Sequence, residues 1–370
     1  MARNTSNKLK VIGIMNGTSI DGADFVLVEV NKKDLTCRHL QTQSFNFPKN
    51  LKLNLIKAAQ HKMLVDELAL LHHDLGRYYA NCFKKLKGAF KQASLIGLHG
   101  QTVFHKGQIA TLQIGEPSYL AEVSGASVVS DFRSADLALG GHGAPIATFF
   151  HQINFGRKGK TISVHNLGGI SNLSLIQDRK LKFGFDTGPA NMLMDMAVRV
   201  HTAGKESFDR NGSLAKKGKS NSALVKQMMK HRYFSKKPPK SCGREEFGEI
   251  FYSQYQRQLH EMSVEDRLAT VADMVAQSIA VAYKKFCPVM PEEIIFAGGG
   301  AKNKFLLQKI SEYLPQVKIS TTEDYNWPLQ SIEGAAFACL AAAKYWDRPS
   351  NIPQSTGAKR ATSLGKITQV

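Results

Sequence analysis

The sequence predicts an α/β chain of two similar domains that face each other across a cleft. Three observations lead there. The chain has 370 residues, more than one hydrophobic core usually organises. Its opening pattern, a three-strand meander with a polar first tip followed by strand–helix units, occurs twice. The glycine-bearing tips of the two meanders, Gly17 and Gly168, lie 151 residues apart.

The elements follow in order. "KVIGIM" is apolar and β-branched, and "DFVLVEV" and "RHLQTQSFNF" alternate, so residues 10 to 47 read as three strands. Residues 50 to 92 carry helical spacing. "SLIGLHG" is a strand with a polar end, "PSYLAEVSG" a short helix and "ASVVSDF" a strand. "GGHGAPIATFFHQINF" is a glycine-rich crossover. "TISVHNLGG", "ISNLSLIQ" and "KLKFGFD" then repeat the meander, helical pattern dominates residues 189 to 286, and "SKKPPKSCGREEFG" is a long loop. "EEIIFAGGG", the helix "NKFLLQKISEYL", the strand "VKIST" and the helix "SIEGAAFACLAAAKYW" close the pattern. We place the first domain over 1–145 with the C-terminal segment 345–370, and the second over 146–344.

Composition narrows the class. Hydrophobic residues make up 43% and charged residues 21%, ordinary for a globular chain. Lys+Arg 49 against Asp+Glu 30 gives +19, but the basic residues are scattered and no zinc-finger, recognition-helix or RNA-binding aromatic motif accompanies them, so nucleic acid is not an expected partner. A positive field also draws in anionic small substrates. The five cysteines form no CxxC pair, which fits reduced thiols rather than a disulfide frame or a zinc site. "VIGIM" is too short for a signal peptide, and the longest uncharged apolar run, "GAAFACLAAA", is far short of a membrane span. A cytoplasmic location, with no membrane partner, is the expectation.

The polar tips carry the chemistry. "GTSIDGAD" offers backbone N–H groups and hydroxyls with little side-chain obstruction, the donors that triphosphate oxygens need; Asp21 or Asp24 is then placed for Mg²⁺. The competing reading is a plain tight turn, since Asp-Gly is a hairpin signal by itself. "HNLGGISN" and "AGGGAKN" hold the same ingredients, the latter at a strand-to-helix junction suited to anions. Asp186, in "GFDTGPANMLMD", is a candidate general base or a helix N-cap. His99 and Gln101 fit polar substrate contacts better than a metal site. Arg133 either grips a substrate carboxylate or pairs with Asp131 or Asp136. Glu333 is either a first-turn charge or a substrate ligand.

Nine stretches, in order, resemble the anhydro-N-acetylmuramic acid kinase family, within the actin-like and sugar-kinase superfamily: "IGIMNGTSIDGADFVLVEV", "GLHGQTVFH", "QIGEPSYLAE", "SDFRSADLALGGHGAPIA", "NLGGISNLS", "GFDTGPANMLMD", "PPKSCGREEF", "FAGGGAKN" and "EGAAFACLA". The resemblance runs from about residue 11 into the tail. It implies two actin-like (ribonuclease H-like) domains with a nucleotide cleft between them. It also implies a kinase that opens the 1,6-anhydro ring with water and phosphorylates O6 of the sugar, using ATP and Mg²⁺, in cell-wall recycling. Gly17, Thr18, Ser19, Ile20, Asp21, Gly22, Ala23 and Asp24 match its ATP phosphate loop, with Asp21 as the metal ligand. Asn166, Gly168 and Gly169 match a second phosphate loop, and Gly298, Gly299, Gly300 and Asn303 the adenosine side. Asp186 matches the base that activates water. His99, Gln101, Arg133 and Glu333 fall in motifs near the sugar. A homodimer is a further expectation. An actin-like ATPase and a sugar-sensing protein of the same fold are the alternatives. The chain departs from the pattern at Asn16 (Ser expected), His142 (Gln), Ala190 (Gly) and Cys242 (Thr). A Cβ at Ala190 is expected to tighten the turn or forbid a positive φ.

Overall fold

A computed structural model describes residues 7–17, 20–202 and 204–370. It divides into two units: one runs to Asn154 and takes in Ser331–Val370, and the other is Phe155–Gln330.

In the first unit, β1 (Lys8–Met15), β2 (Gly22–Asn31) and β3 (Cys37–Asn46) form the predicted meander, with antiparallel pairing throughout. β4 (Leu95–Leu98) then lies parallel to β1. A separate hairpin, β5 (Gln101–Lys106) with β6 (Ala110–Ile114), precedes β7 (Ser127–Ser130), which lies parallel to β4. Helices cover the sheet because parallel neighbours need crossovers. The helical stretch of residues 50 to 92 is two helices, Lys49–Ala59 and Val65–Lys85.

In the second unit, β8 (Thr161–Leu167), β9 (Ile170–Gln177) and β10 (Lys180–Pro189) repeat the antiparallel meander. β11 (Glu293–Ala297) and β12 (Lys318–Thr321) repeat the parallel pair. The sheet order, β10-β9-β8-β11-β12, is therefore that of β3-β2-β1-β4-β7. The long helix Val264–Phe286 fills its core. Ser263 caps it by accepting from the Asp266 N–H at 3.1 Å, with Glu265 in its first turn and Lys284 and Lys285 in its last.

The closing helix, Ile332–Tyr345, departs from the expected boundaries: it belongs to the first unit, as do residues 146–154. The cause is a groove for its backbone. Gly13 of β1 stands opposite Gly97 of β4 in parallel register. A Cβ on Gly13 would sit 1.8 Å from the Gly334 carbonyl oxygen, and one on Gly97 would sit 2.3 Å from that of Phe337. Only glycines admit a helix that close. The tail adds β13 (Lys366–Thr368), antiparallel to β7, which the sequence reading did not contain. Among the described residues, no helix is long and apolar enough to cross a membrane.

Candidate active site

In open sheets with parallel strands, ligands bind beyond the strands' carboxyl ends. Asn16 and Gly17 follow β1, His99 follows β4, Arg133 stands shortly after β7, and the Asn166–Gly169 and Gly298–Gly300 tips close β8 and β11.

In the first unit the structure gathers Asp24, His99, Arg133 and Glu333. Arg133 Nη2 donates to His99 Nε2 at 3.0 Å. A guanidinium only donates, so Nε2 accepts and the neutral ring carries its proton on Nδ1. Burial and then the Arg133 charge push His99 down to about 3. Arg133 Nη1 donates to the Gly143 carbonyl at 2.7 Å, and the Gly143 N–H donates to Asp136 Oδ2 at 2.8 Å. Asp136 also accepts from Asn351 Nδ2 at 2.8 Å and Thr356 Oγ1 at 2.7 Å, while Asp131 pairs with Lys366 at 2.7 Å. Neither aspartate takes Arg133 as an ion-pair partner. Burial pushes Arg133 down to about 10, against the pull of Glu333.

Glu333 stands in the first turn of the closing helix. Burial and then the Asp24 charge hold it above the usual carboxylate range, with Arg133 opposing. Asp24 is raised by burial, and its bond from Ser44 Oγ opposes this. Gln101 is 4% exposed and its Oε1 has no partner, nor has Arg133 Nε. Buried polar atoms left unpaired cost free energy unless a ligand satisfies them. His99 also lines a cavity of about 300 Å³ with His72, Gly100, Gln113 and Asp131.

The β1–β2 tip is anchored from below. Ile20 is buried at φ 54, its N–H donating to the Gly17 carbonyl at 3.1 Å. Ala23 is buried, and Gly22 leaves room for the Phe45 carbonyl, which a Cβ would approach to 2.2 Å. The Ile20 and Ala23 side chains, and the missing Cβ of Gly22, serve the loop's shape. Asp21 is exposed and paired with Lys52 at 2.6 Å. Thr18 and Ser19 lie outside the described residues. Asn16 is buried, and its Nδ2 donates to the Tyr79 hydroxyl.

In the second unit the two glycine tips meet. A Cβ on Gly298, at φ 83, would strike Asn166 Oδ1 at 2.4 Å, and one on Gly300 would strike Asn191 Oδ1 at 2.7 Å. A Cβ on Gly299 would meet nothing within 4 Å, and one on Gly168 or Gly169 nothing within 3.4 Å. At Gly169 and Gly299 that open backbone fits a phosphate, while the Gly168 N–H already donates to the Ile170 carbonyl at 3.1 Å. Asn303 is different: its Oδ1 accepts from the Leu306 N–H at 3.0 Å, capping the helix Lys304–Tyr313, and its Nδ2 reaches Met194 Sδ at 3.9 Å. The fold uses both ends of this side chain.

Asp186 is not an N-cap. It lies within β10, and the helix Asn191–His201 is preceded by Ala190. A segment far along the chain holds it. The Cys242 N–H donates to Asp186 Oδ2 at 3.0 Å, the Tyr233 hydroxyl donates to the Asp186 carbonyl at 2.7 Å, and the Asp186 N–H donates to the Lys240 carbonyl at 3.2 Å. Burial pushes the carboxyl up to about 6, Cys242 opposing and the Glu245 charge adding to it. Ala190 stands at φ −128 with its methyl in the core, so a Cβ there meets no positive-φ constraint. Tyr233, Lys240 and Cys242 were not among the expected site residues. The loop "SKKPPKSCGREEFG" was visible, but not its destination.

Two units of one sheet topology, each with polar tips at the carboxyl ends of its parallel strands, define an α/β protein of the actin-like, ribonuclease H-like class. The sequence model of anhydro-N-acetylmuramic acid kinase matches residues 9–370, and the chain belongs to that family. The anhydro-N-acetylmuramic acid kinase of Microcystis aeruginosa is 35% identical, over 96% of this chain and 99% of its own length. That of Aliivibrio fischeri is 37% identical, over 97% and 98%. Among solved structures, the ADPNP-bound activator of a 2-hydroxyisocaproyl-CoA dehydratase from Clostridium difficile matches 91% of this chain and 95% of its own, at 10% identity and a TM-score of 0.45.

Proposed function

We propose that the chain is an ATP-dependent kinase that opens the 1,6-anhydro ring of anhydro-N-acetylmuramic acid and phosphorylates O6, giving N-acetylmuramic acid 6-phosphate. The observation that carries the reading is Asp186: a carboxyl pushed up to about 6 by burial, with one oxygen fixed by the Cys242 N–H. A base poised near neutral pH suits removal of a proton from water.

The step balances as follows. Asp186 takes a proton from water, whose oxygen bonds to the anomeric carbon. The bond from that carbon to O6 breaks, O6 takes the γ-phosphoryl group of ATP, and ADP leaves. Asp186 then returns its proton to solvent. Arg133, Gln101 and Glu333 orient the sugar, Arg133 as a planar donor, and His99 holds Arg133 in place. The Gly17–Asp24 loop and the Asn166–Gly169 tip hold phosphates through backbone N–H groups, and the Gly298–Gly300 tip takes the adenosine side. Asp21 would hold Mg²⁺, which screens phosphate charge when bound. The same reading makes the protein a cytoplasmic enzyme and carries over the expectation of a homodimer.

The test is ADP formation from Mg-ATP by wild type and Asp186→Asn, with and without 1,6-anhydro-N-acetylmuramic acid. Sugar-dependent ADP release that the substitution abolishes supports the reading. Release that ignores the sugar contradicts it and favours a simple ATPase.

A further inference from the structure

Lys240 is 6% exposed, and the proposed reaction gives it no task. Its ammonium is enclosed by rings: Nζ lies 4.4 Å from the Phe286 centroid, 4.7 Å from Tyr233 and 5.5 Å from Phe185. It also donates to the Tyr233 carbonyl at 3.2 Å. A desolvated cation over aromatic faces is a strong local tether. The three rings come from three places. Phe185 precedes Asp186 on β10, Phe286 ends the helix Val264–Phe286, and Tyr233 opens the loop that Lys240 itself closes.

Every recorded hydrogen bond to Asp186 outside the β9–β10 ladder comes from this loop: Tyr233 to its carbonyl, Lys240 from its N–H and Cys242 to its carboxylate. We propose that Lys240 is a positioning residue for Asp186. Its caged ammonium pins the Tyr233–Cys242 loop onto β10, so that the Cys242 N–H reaches Oδ2 and holds the carboxylate in one orientation. The Tyr233 hydroxyl anchors the start of the loop on the Asp186 carbonyl, and the Lys240 ammonium is the tether two residues from Cys242; without it the Cys242 N–H loses its aim.

The charged and titratable groups around the pair are few. Glu245, from the short helix Arg244–Phe247, raises Asp186, while Lys236 and Lys285 stand near Lys240. Burial pushes Lys240 down to about 8 and Cys242 up to about 12, so at pH 7 the lysine is largely charged and the thiol neutral.

The inference rests on Asp186 being the base, but its test does not need activity. The Asp186 carboxyl is titrated by ¹³C NMR in wild type, Lys240→Met, Lys240→Arg and Phe286→Leu, with Asp186→Asn for assignment and the Cys242 amide shift followed in parallel. In wild type the Cys242 amide should track the Asp186 titration. Lys240→Met should raise the midpoint by about one pH unit, the worth of one hydrogen bond to a charged group, and uncouple the amide. Lys240→Arg should stay near wild type. Phe286→Leu keeps the lysine charge and opens one wall of the cage, so an upward shift there reads positioning rather than lost charge; it also serves if Lys240→Met does not fold. In steady-state assays the acid limb of kcat should move with the NMR midpoint, with KM for ATP within twofold. Folded variants whose midpoint and Cys242 amide match wild type overturn the proposal. If Asp186→Asn keeps full turnover, the base assignment fails, while the NMR shift still reports on the tether.

Discussion

Arg133 donates to His99 Nε2 at 3.0 Å, and that one contact fixes the charge of the ring. A guanidinium cannot accept, so His99 stays neutral, with its proton on Nδ1.

The first prediction follows. His99 lies far below the ordinary histidine range, at about 3. It should therefore show no titration between pH 5 and 8, and long-range ¹H–¹⁵N NMR should find the Nδ1–H tautomer throughout. A His99 resonance titrating near pH 6.5 would contradict the contact.

A second prediction concerns sugar binding. Lysine cannot reproduce a fork that reaches His99 and Gly143 together. Arg133→Lys should raise KM for the anhydro sugar about 10- to 100-fold, the range for losing a hydrogen bond to a charged group. KM for ATP should hold within about twofold. Steady-state kinetics with each substrate varied separates the two.

A third prediction is a stability cost at the base. Asp186 sits at about 6 when folded, against an ordinary 3.8. Between those values the folded protein keeps a proton that the unfolded chain has lost, so stability falls as pH rises through the window. Above about pH 6 the whole cost is present, on the order of 1–3 kcal/mol. Asp186→Asn should therefore raise Tm at pH 7.5, and the gain should vanish near pH 4. Thermal unfolding across that range checks both halves.

A fourth prediction tests the glycine groove. Gly97→Ala sets a methyl 2.3 Å from the Phe337 carbonyl oxygen. Overpacking of this kind costs about 1–3 kcal/mol. The closing helix must shift, and Glu333 in its first turn shifts with it. Chemical denaturation should report the loss, and KM for the sugar should rise as well.

The sequence makes some of this legible and hides the rest for physical reasons. The meanders and tips were readable because their signals are local: alternation sets strands, and Gly, Thr and Asp in short runs set turns. Asp186 was readable as a candidate, but not its environment. The Cys242 N–H that holds its Oδ2 lies 56 residues away, and no periodicity links the two. Asn303 followed the glycine pattern and proved to be a helix cap, since capping and ligand binding draw on the same side chains. The closing helix was placed with its chain neighbours. Its true seat depends on Gly13 facing Gly97, a register that only pairing of the strands reveals. The alternatives for Arg133 narrowed once Asp131 and Asp136 were found committed elsewhere.

The central claim is that Asp186 is the base of a sugar-dependent kinase, and the pH dependence of kcat with saturating Mg-ATP and 1,6-anhydro-N-acetylmuramic acid tests it most directly. The account predicts an acid limb with half-maximal rate near pH 6, where the carboxylate gives up its charge, and no sugar-dependent rate in Asp186→Asn. A wild-type rate flat down to pH 4.5, or an Asp186→Asn variant that retains the same limb, would contradict it.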